Sequence, residues 1–180
     1  MILEIRIPAT AEINSANDLW LALKHLLPTI FAFLLSFMII LITWVNHHNS
    51  IKLVDKTSAQ FAYANGFLLL TVVFIPFPTA LLGEYLLTDK AAPAVVLYTA
   101  NYAFQAFGWT LISRIALKQK LAKNEITHNK MQKIFKDSFL AITLYTVCAV
   151  LAFWYPLIIA SAITPLWIFW LIYGINLKEM

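Results

Sequence analysis

The sequence predicts an all-α fold, a polytopic membrane helix bundle of five transmembrane helices. Composition is the first reason: 61% of the residues are hydrophobic and 12% are charged, with a mean hydropathy of +0.76. A typical soluble domain carries about twice that charged fraction. The second reason is the run from Leu26 to His48, which holds no Asp, Glu, Lys or Arg. About 20 residues at a rise of ~1.5 Å cross a ~30 Å hydrocarbon core. The third is the absence of barrel-type alternation, since uninterrupted runs of this length close their own backbone hydrogen bonds only as helices.

Residues 1–180 form a single transmembrane domain, and its elements follow in order. Residues 1–26 are expected to be an external tail. Met1 to Ala9 is apolar but too short to span and lacks the parts of a signal peptide. A short interfacial helix then carries Leu19, Trp20 and Leu23, capped by Asn17 or Asp18. The first span covers 27–46, opened by Pro28. The second covers 61–82, and Pro76-Phe77-Pro78 must kink it or unwind its last turn, because two ring nitrogens cannot donate. The third covers 93–116, between Pro93 and Arg114. A basic cytoplasmic loop, 117–137, follows. The last two spans, 138–154 and 156–175, are joined at Trp154-Tyr155-Pro156, where aromatic side chains suit an interface belt. Cys148 lies in an apolar run and, as the single cysteine, has no disulfide partner within the chain.

The basic residues orient these spans. Lys52, Lys56, Arg114, Lys118, Lys120, Lys123, Lys130, Lys133, Lys136 and Lys178 fall on one side, ten in all, against Arg6, Lys24 and Lys90 on the other. By the positive-inside rule the C-terminus is cytoplasmic and the N-terminus external. The same rule accounts for the net charge of +4. The Lys-rich loop has no interleaved aromatics, so nucleic acid is not expected as a partner; the partner is the lipid bilayer.

No enzyme chemistry is expected. His25, His47, His48 and His128 have no metal-ligand spacing within a span, the four glycines form no phosphate loop, and no cofactor is implied. The two halves share no repeat of the kind that secondary transporters use, and no small-molecule substrate is expected.

The polar residues inside spans carry more information, because hydrocarbon makes each costly unless it faces protein or water. Tyr98, Asn101, Tyr102, Gln105, Trp109 and Ser113 recur at steps of three and four, forming one stripe. Thr29, Ser36, Thr43 and His47 stay within ~40° of one another at ~100° per residue, while His48 is turned away by ~100°. His47 is therefore the histidine aligned with the stripe. Such stripes either glue helices together or border a water-filled path, and gluing is the commoner use in bundles.

Trp44-Val45-Asn46-His47-His48, then Asn65, Pro76-Phe77-Pro78-Thr79-Ala80-Leu81-Leu82-Gly83-Glu84-Tyr85 and Asn101, resemble the bacterial branch of the transmembrane protein 175 family, the endolysosomal potassium channels. The likeness covers nearly the whole chain. It implies a six-helix subunit that assembles with itself as a homotetramer, with potassium as the transported ion, in a bacterial inner (plasma) membrane. The pore would be lined by the first helix and narrowed by a hydrophobic constriction. It also implies a structural or gating network at the cytoplasmic end of the first span here, formed by Trp44, Asn46, His47 and His48. Its other half in the family is an Arg-x-x-x-Phe-Ser-Asp motif on the first helix, with Trp44 and His47 bracing that helix. Thr43, Asn65, Asn101 and Gln105 make up the intramembrane polar stripe. The chain contains no Arg-x-x-x-Phe-Ser-Asp. Its five spans match helices two to six, and Met1 to Pro8 reads as the tail of the first, most of which is expected to be lacking. Conduction is thus expected of a full-length form, and a non-conducting membrane scaffold or partner subunit is the alternative.

Overall fold

Short polar caps and prolines divide the apolar chain into helices. In a computed structural model, which describes residues 15–179 with side chains to residue 175, these are α1 (Ala16–Ile51), α2 (Ala59–Phe74), α3 (Pro76–Tyr85), α4 (Ala91–Lys118), α5 (Glu125–Leu151), α6 (Pro156–Ile163) and α7 (Leu166–Glu179). The expectation for Met1 to Pro8 lies outside the described residues.

The start of α1 differs from the expected short helix followed by a separate span. Ser15, not Asn17 or Asp18, is the N-cap, its hydroxyl accepting the Asp18 N–H at 3.1 Å. From there one helix of 36 residues runs through Pro28 and on to Ile51. Pro28 removes one backbone donor without stopping the helix. The continuation past residue 46 carries Asn46, His47 and His48 within regular helix, where their directions are fixed at ~100° intervals.

Between α2 and α3 the proline pair acts as expected. Pro76 has no N–H for the Val72 carbonyl, and Ile75 N–H takes that carbonyl instead at 3.2 Å in a tighter turn. A second break, not expected from the sequence, separates α6 from α7. Pro165 ends the first piece, and Thr164 closes it with its N–H and Oγ1 both on the Ala160 carbonyl, at 3.0 and 2.7 Å.

The expected basic loop 117–137 is mostly helix. After α4, Lys120 adopts a left-handed backbone (φ 53°), and Leu121 N–H returns to the Ala116 carbonyl at 2.9 Å, a Schellman-type stop. Asn124 then caps α5 in a reciprocal pair with Thr127. An isolated antiparallel bridge, Val54 with Ala122, ties the segment after α1 to this connection. The ends of α1 and α4 and the start of α5 therefore meet at one end of the bundle.

Among the described residues, four stretches are long and apolar enough to cross a membrane: α1, α2 with α3, α5, and α6 with α7 to Ile175. α4, at 28 residues, is as long, but its polar stripe lowers its hydropathy. It is the packing hub, in contact with α2, α3, α5 and α6. Its buried face alternates small residues (Ala94, Ala106, Gly108, Ala116) with Tyr98, Thr99, Asn101, Gln105 and Ser113. Small residues let neighbouring backbones approach, which is how membrane helices gain packing energy. The fold is an all-helical membrane bundle.

Candidate functional site

The last three turns of α1 present one polar residue after another to different neighbours. Thr43 is buried, and its hydroxyl returns to the Ile39 carbonyl of its own helix at 2.9 Å. Its polarity is thus satisfied within α1. Asn46 points to α7, with Nδ2 donating to the Trp170 carbonyl at 3.1 Å; one turn later Asn49 Nδ2 donates to the Gly174 carbonyl at 3.2 Å. Two side-chain amides thereby fasten α1 to α7. The Asn46 oxygen is buried without a hydrogen-bond partner and lies against Gly174.

His47 points the other way. Its Nε2 lies 2.5 Å from Asn65 Oδ1 on α2, and its ring meets the edge of Trp109 on α4, centroids 6.1 Å apart. With Asn65 Oδ1 as acceptor, Nε2 carries the proton. The histidine singled out by helical angle is therefore the one that joins three helices. Trp44, expected with His47 in the network at this end of α1, stacks on His48, with centroids 5.4 Å apart and planes 11° from parallel. The reason is spacing: both i+3 and i+4 neighbours are within reach on a helix, but the i+4 side chain lies on the outward face with Trp44. Both are exposed, Trp44 by 57%.

The α4 stripe faces the bundle interior. Asn101 donates to the Thr71 carbonyl of α2 at 3.4 Å, and Tyr102 OH donates to Tyr98 OH at 3.2 Å. Gln105 is 8% exposed, and its Nε2 has no hydrogen-bond partner. The structure thus brings His47, Asn65 and Trp109 together, joins Asn101 to α2, and keeps Trp44 with His48 apart from both.

Several residues of this region were not singled out in the sequence. Trp170 and Gly174 act through backbone carbonyls, for which a sequence holds no signal. Thr110 and Ser138 form a buried α4–α5 hydrogen bond at 3.0 Å. Asp137, expected at the end of the loop 117–137, lies well inside α5 and accepts a hydrogen bond from Tyr173 OH at 2.8 Å. The spacing of Met131, Ile134 and Ser138, all buried on α5, was the available sign that this segment is helical. No cluster of three or more metal-ligating side chains occurs among the described residues.

The geometry predicts unequal roles for the two adjacent histidines. His47→Ala is expected to lower stability by ~1 kcal/mol, by removing the partner of Asn65, and to disturb assembly. His48→Ala is expected to stay within ~0.5 kcal/mol, as exposed positions do. Unfolding midpoints in detergent check this; equal effects would contradict the distinction.

Comparison with known proteins agrees with this architecture. The model of a family described as endosomal/lysosomal potassium channel TMEM175 matches residues 1–76. A potassium channel of Chamaesiphon minutus is 36% identical over 154 residues, covering 85% of this chain and 75% of its own length. A potassium channel of Streptomyces collinus is 34% identical over 117 residues, or 62% of this chain and 55% of its own. The crystal structure of a lysosomal potassium-selective channel TMEM175 homolog from Chamaesiphon minutus superimposes with a TM-score of 0.76 at 32% identity, covering 96% of this chain and 87% of that one.

Proposed function

The chain belongs to the TMEM175 family of potassium channels, and on that premise we propose that it carries potassium across a bacterial inner membrane as a homotetramer. It is a channel-family subunit, not an enzyme. The observation that carries the proposal is the likeness in sequence and fold to the Chamaesiphon channel over most of both chains.

In this reading α4 is the fifth crossing, sheltered by the four apolar ones. The meeting of Lys52 and Lys56 with Lys118, Lys120 and Lys123 at one end of the bundle supports a cytoplasmic face there, with the start of α1 outside. The end of α1 is then a cytoplasmic brace. His47 holds it to α2 and α4, while Asn46 and Asn49 hold it to α7. Trp44 and His48 remain outward for contact with a neighbouring helix of the assembly. Potassium passes where apolar side chains narrow the water column.

Reconstitution into a planar bilayer with potassium on one side and sodium on the other tests the proposal. The current is expected to reverse far from zero, with the potassium side negative. Reversal near zero would contradict potassium selectivity, and silence from a verified tetramer would favour the non-conducting scaffold.

A further inference from the structure

A partly open cavity of about 80 Å³ lies between α1, α4, α5, α7 and the end of α6, on the opposite side of α1 from the exposed Trp44 and His48. Among its lining residues Asp137 carries the one formal charge, and no lysine, arginine or histidine lines it. Trp109, Trp167, Trp170 and Tyr173 supply aromatic walls. Two of these are held in place by hydrogen bonds: Trp170 Nε1 donates to Tyr145 OH at 2.8 Å, and Tyr173 OH donates to Asp137 Oδ2 at 2.8 Å. Asp137 is partly exposed, and a carboxylate offers several acceptor sites, of which this bond takes one.

Gln105 enters the same cavity from α4, and its Nε2 is a wholly buried donor without an acceptor. Such donors are rare and call for an occupant. The volume is several times the ~10–15 Å³ that one water needs, which suits a small head group and excludes a whole lipid.

One carboxylate, several aromatic side chains, the unanswered Gln105 N–H and the unanswered oxygen of Asn46, which also lines the cavity, define a complementary guest. A cation is attracted by the aromatic faces and by the carboxylate. Lys133 shows the same attraction from outside the cavity, its Nζ lying 5.6 Å from the centroid of the Tyr173 ring. The Gln105 N–H asks in addition for an oxygen. We propose that the cavity binds an organic ammonium bearing a hydroxyl or ester oxygen, the chemistry shared by free choline or ethanolamine and by phospholipid head groups. The proposal does not depend on conduction.

Tryptophan fluorescence of the full chain in detergent, titrated with choline chloride, tests it. A saturable change is expected, about tenfold weaker with the neutral isostere 3,3-dimethylbutan-1-ol. Asp137→Asn is expected to weaken choline by about tenfold, and Gln105→Leu to weaken choline several-fold while leaving tetramethylammonium unchanged. The comparison of choline with its neutral isostere on the unaltered protein decides the matter even if a variant fails to fold. In vesicles, loss of the choline response when phosphatidylethanolamine is added to phosphatidylglycerol assigns the site to a lipid head group. An unchanged response assigns it to a soluble cation. Absence of saturable choline binding, an equal response to the neutral alcohol, or full binding by a folded Asp137→Asn protein would overturn the proposal.

Discussion

Gly174→Ala is expected to destabilise the protein by ~2 kcal/mol, although the same change in an exposed helix would stabilise it by up to ~1 kcal/mol. A Cβ at Gly174 would fall on the side-chain oxygen of Asn46 and within 3.1 Å of its Cγ. α7 must then move off α1, or Asn46 must rotate and release the Trp170 carbonyl. Overpacking of this kind costs ~1–3 kcal/mol and a lost buried hydrogen bond ~0.5–1.5 kcal/mol, which outweighs the gain in helix propensity. The cause is one side chain, so Asn46→Ala in the same molecule should remove most of the penalty. A double-mutant cycle on unfolding midpoints checks this, with a coupling above ~1 kcal/mol expected. Additive effects would mean that the two residues do not meet.

Gly108→Leu is expected to cost ~3 kcal/mol or more and to lower the yield of folded protein sharply. A Cβ there would lie 3.1 Å from the Cα and 3.2 Å from the Cβ of Leu68, on α2. Leu68 is fully buried, and a backbone atom cannot swing aside as a side-chain end can. The only relief is to part α2 from α4, which also weakens the Asn101 contact to the Thr71 carbonyl. Gly66→Leu, with nothing within 4 Å of a Cβ, is the control and is expected to be tolerated. Equal losses at Gly66 and Gly108 would point to helix flexibility instead of close approach.

Particular residues explain how much of this was legible in the sequence. Membrane helices announce themselves by length and hydropathy, so the cores of the spans were readable, as was the break at Pro76. Helix ends were less so: Pro28 has the sequence position of a helix opening, yet the helix passes through it, while Pro165, with the same missing N–H, separates α6 from α7. The direction of His47 followed from helical angle alone, and Asn65 and Trp109 are the partners it finds. Its separation from Trp44 was not readable, because choosing between i+3 and i+4 depends on which face the neighbours cover. The Asn46 and Asn49 contacts to α7 bridge 124 and 125 residues and end on carbonyls, which no side-chain pattern records. The α5 start was hidden by lysines that resemble a solvated loop until Met131, Ile134 and Ser138 are placed on one face.

The central claim is that this chain is a subunit of a potassium channel, and potassium release from vesicles tests it most directly. The protein would be reconstituted from a fraction verified as a tetramer, and potassium efflux followed against sodium efflux under matched gradients. Efflux of potassium well above that of sodium is the predicted result. No efflux above protein-free vesicles, from a folded tetramer, would contradict it.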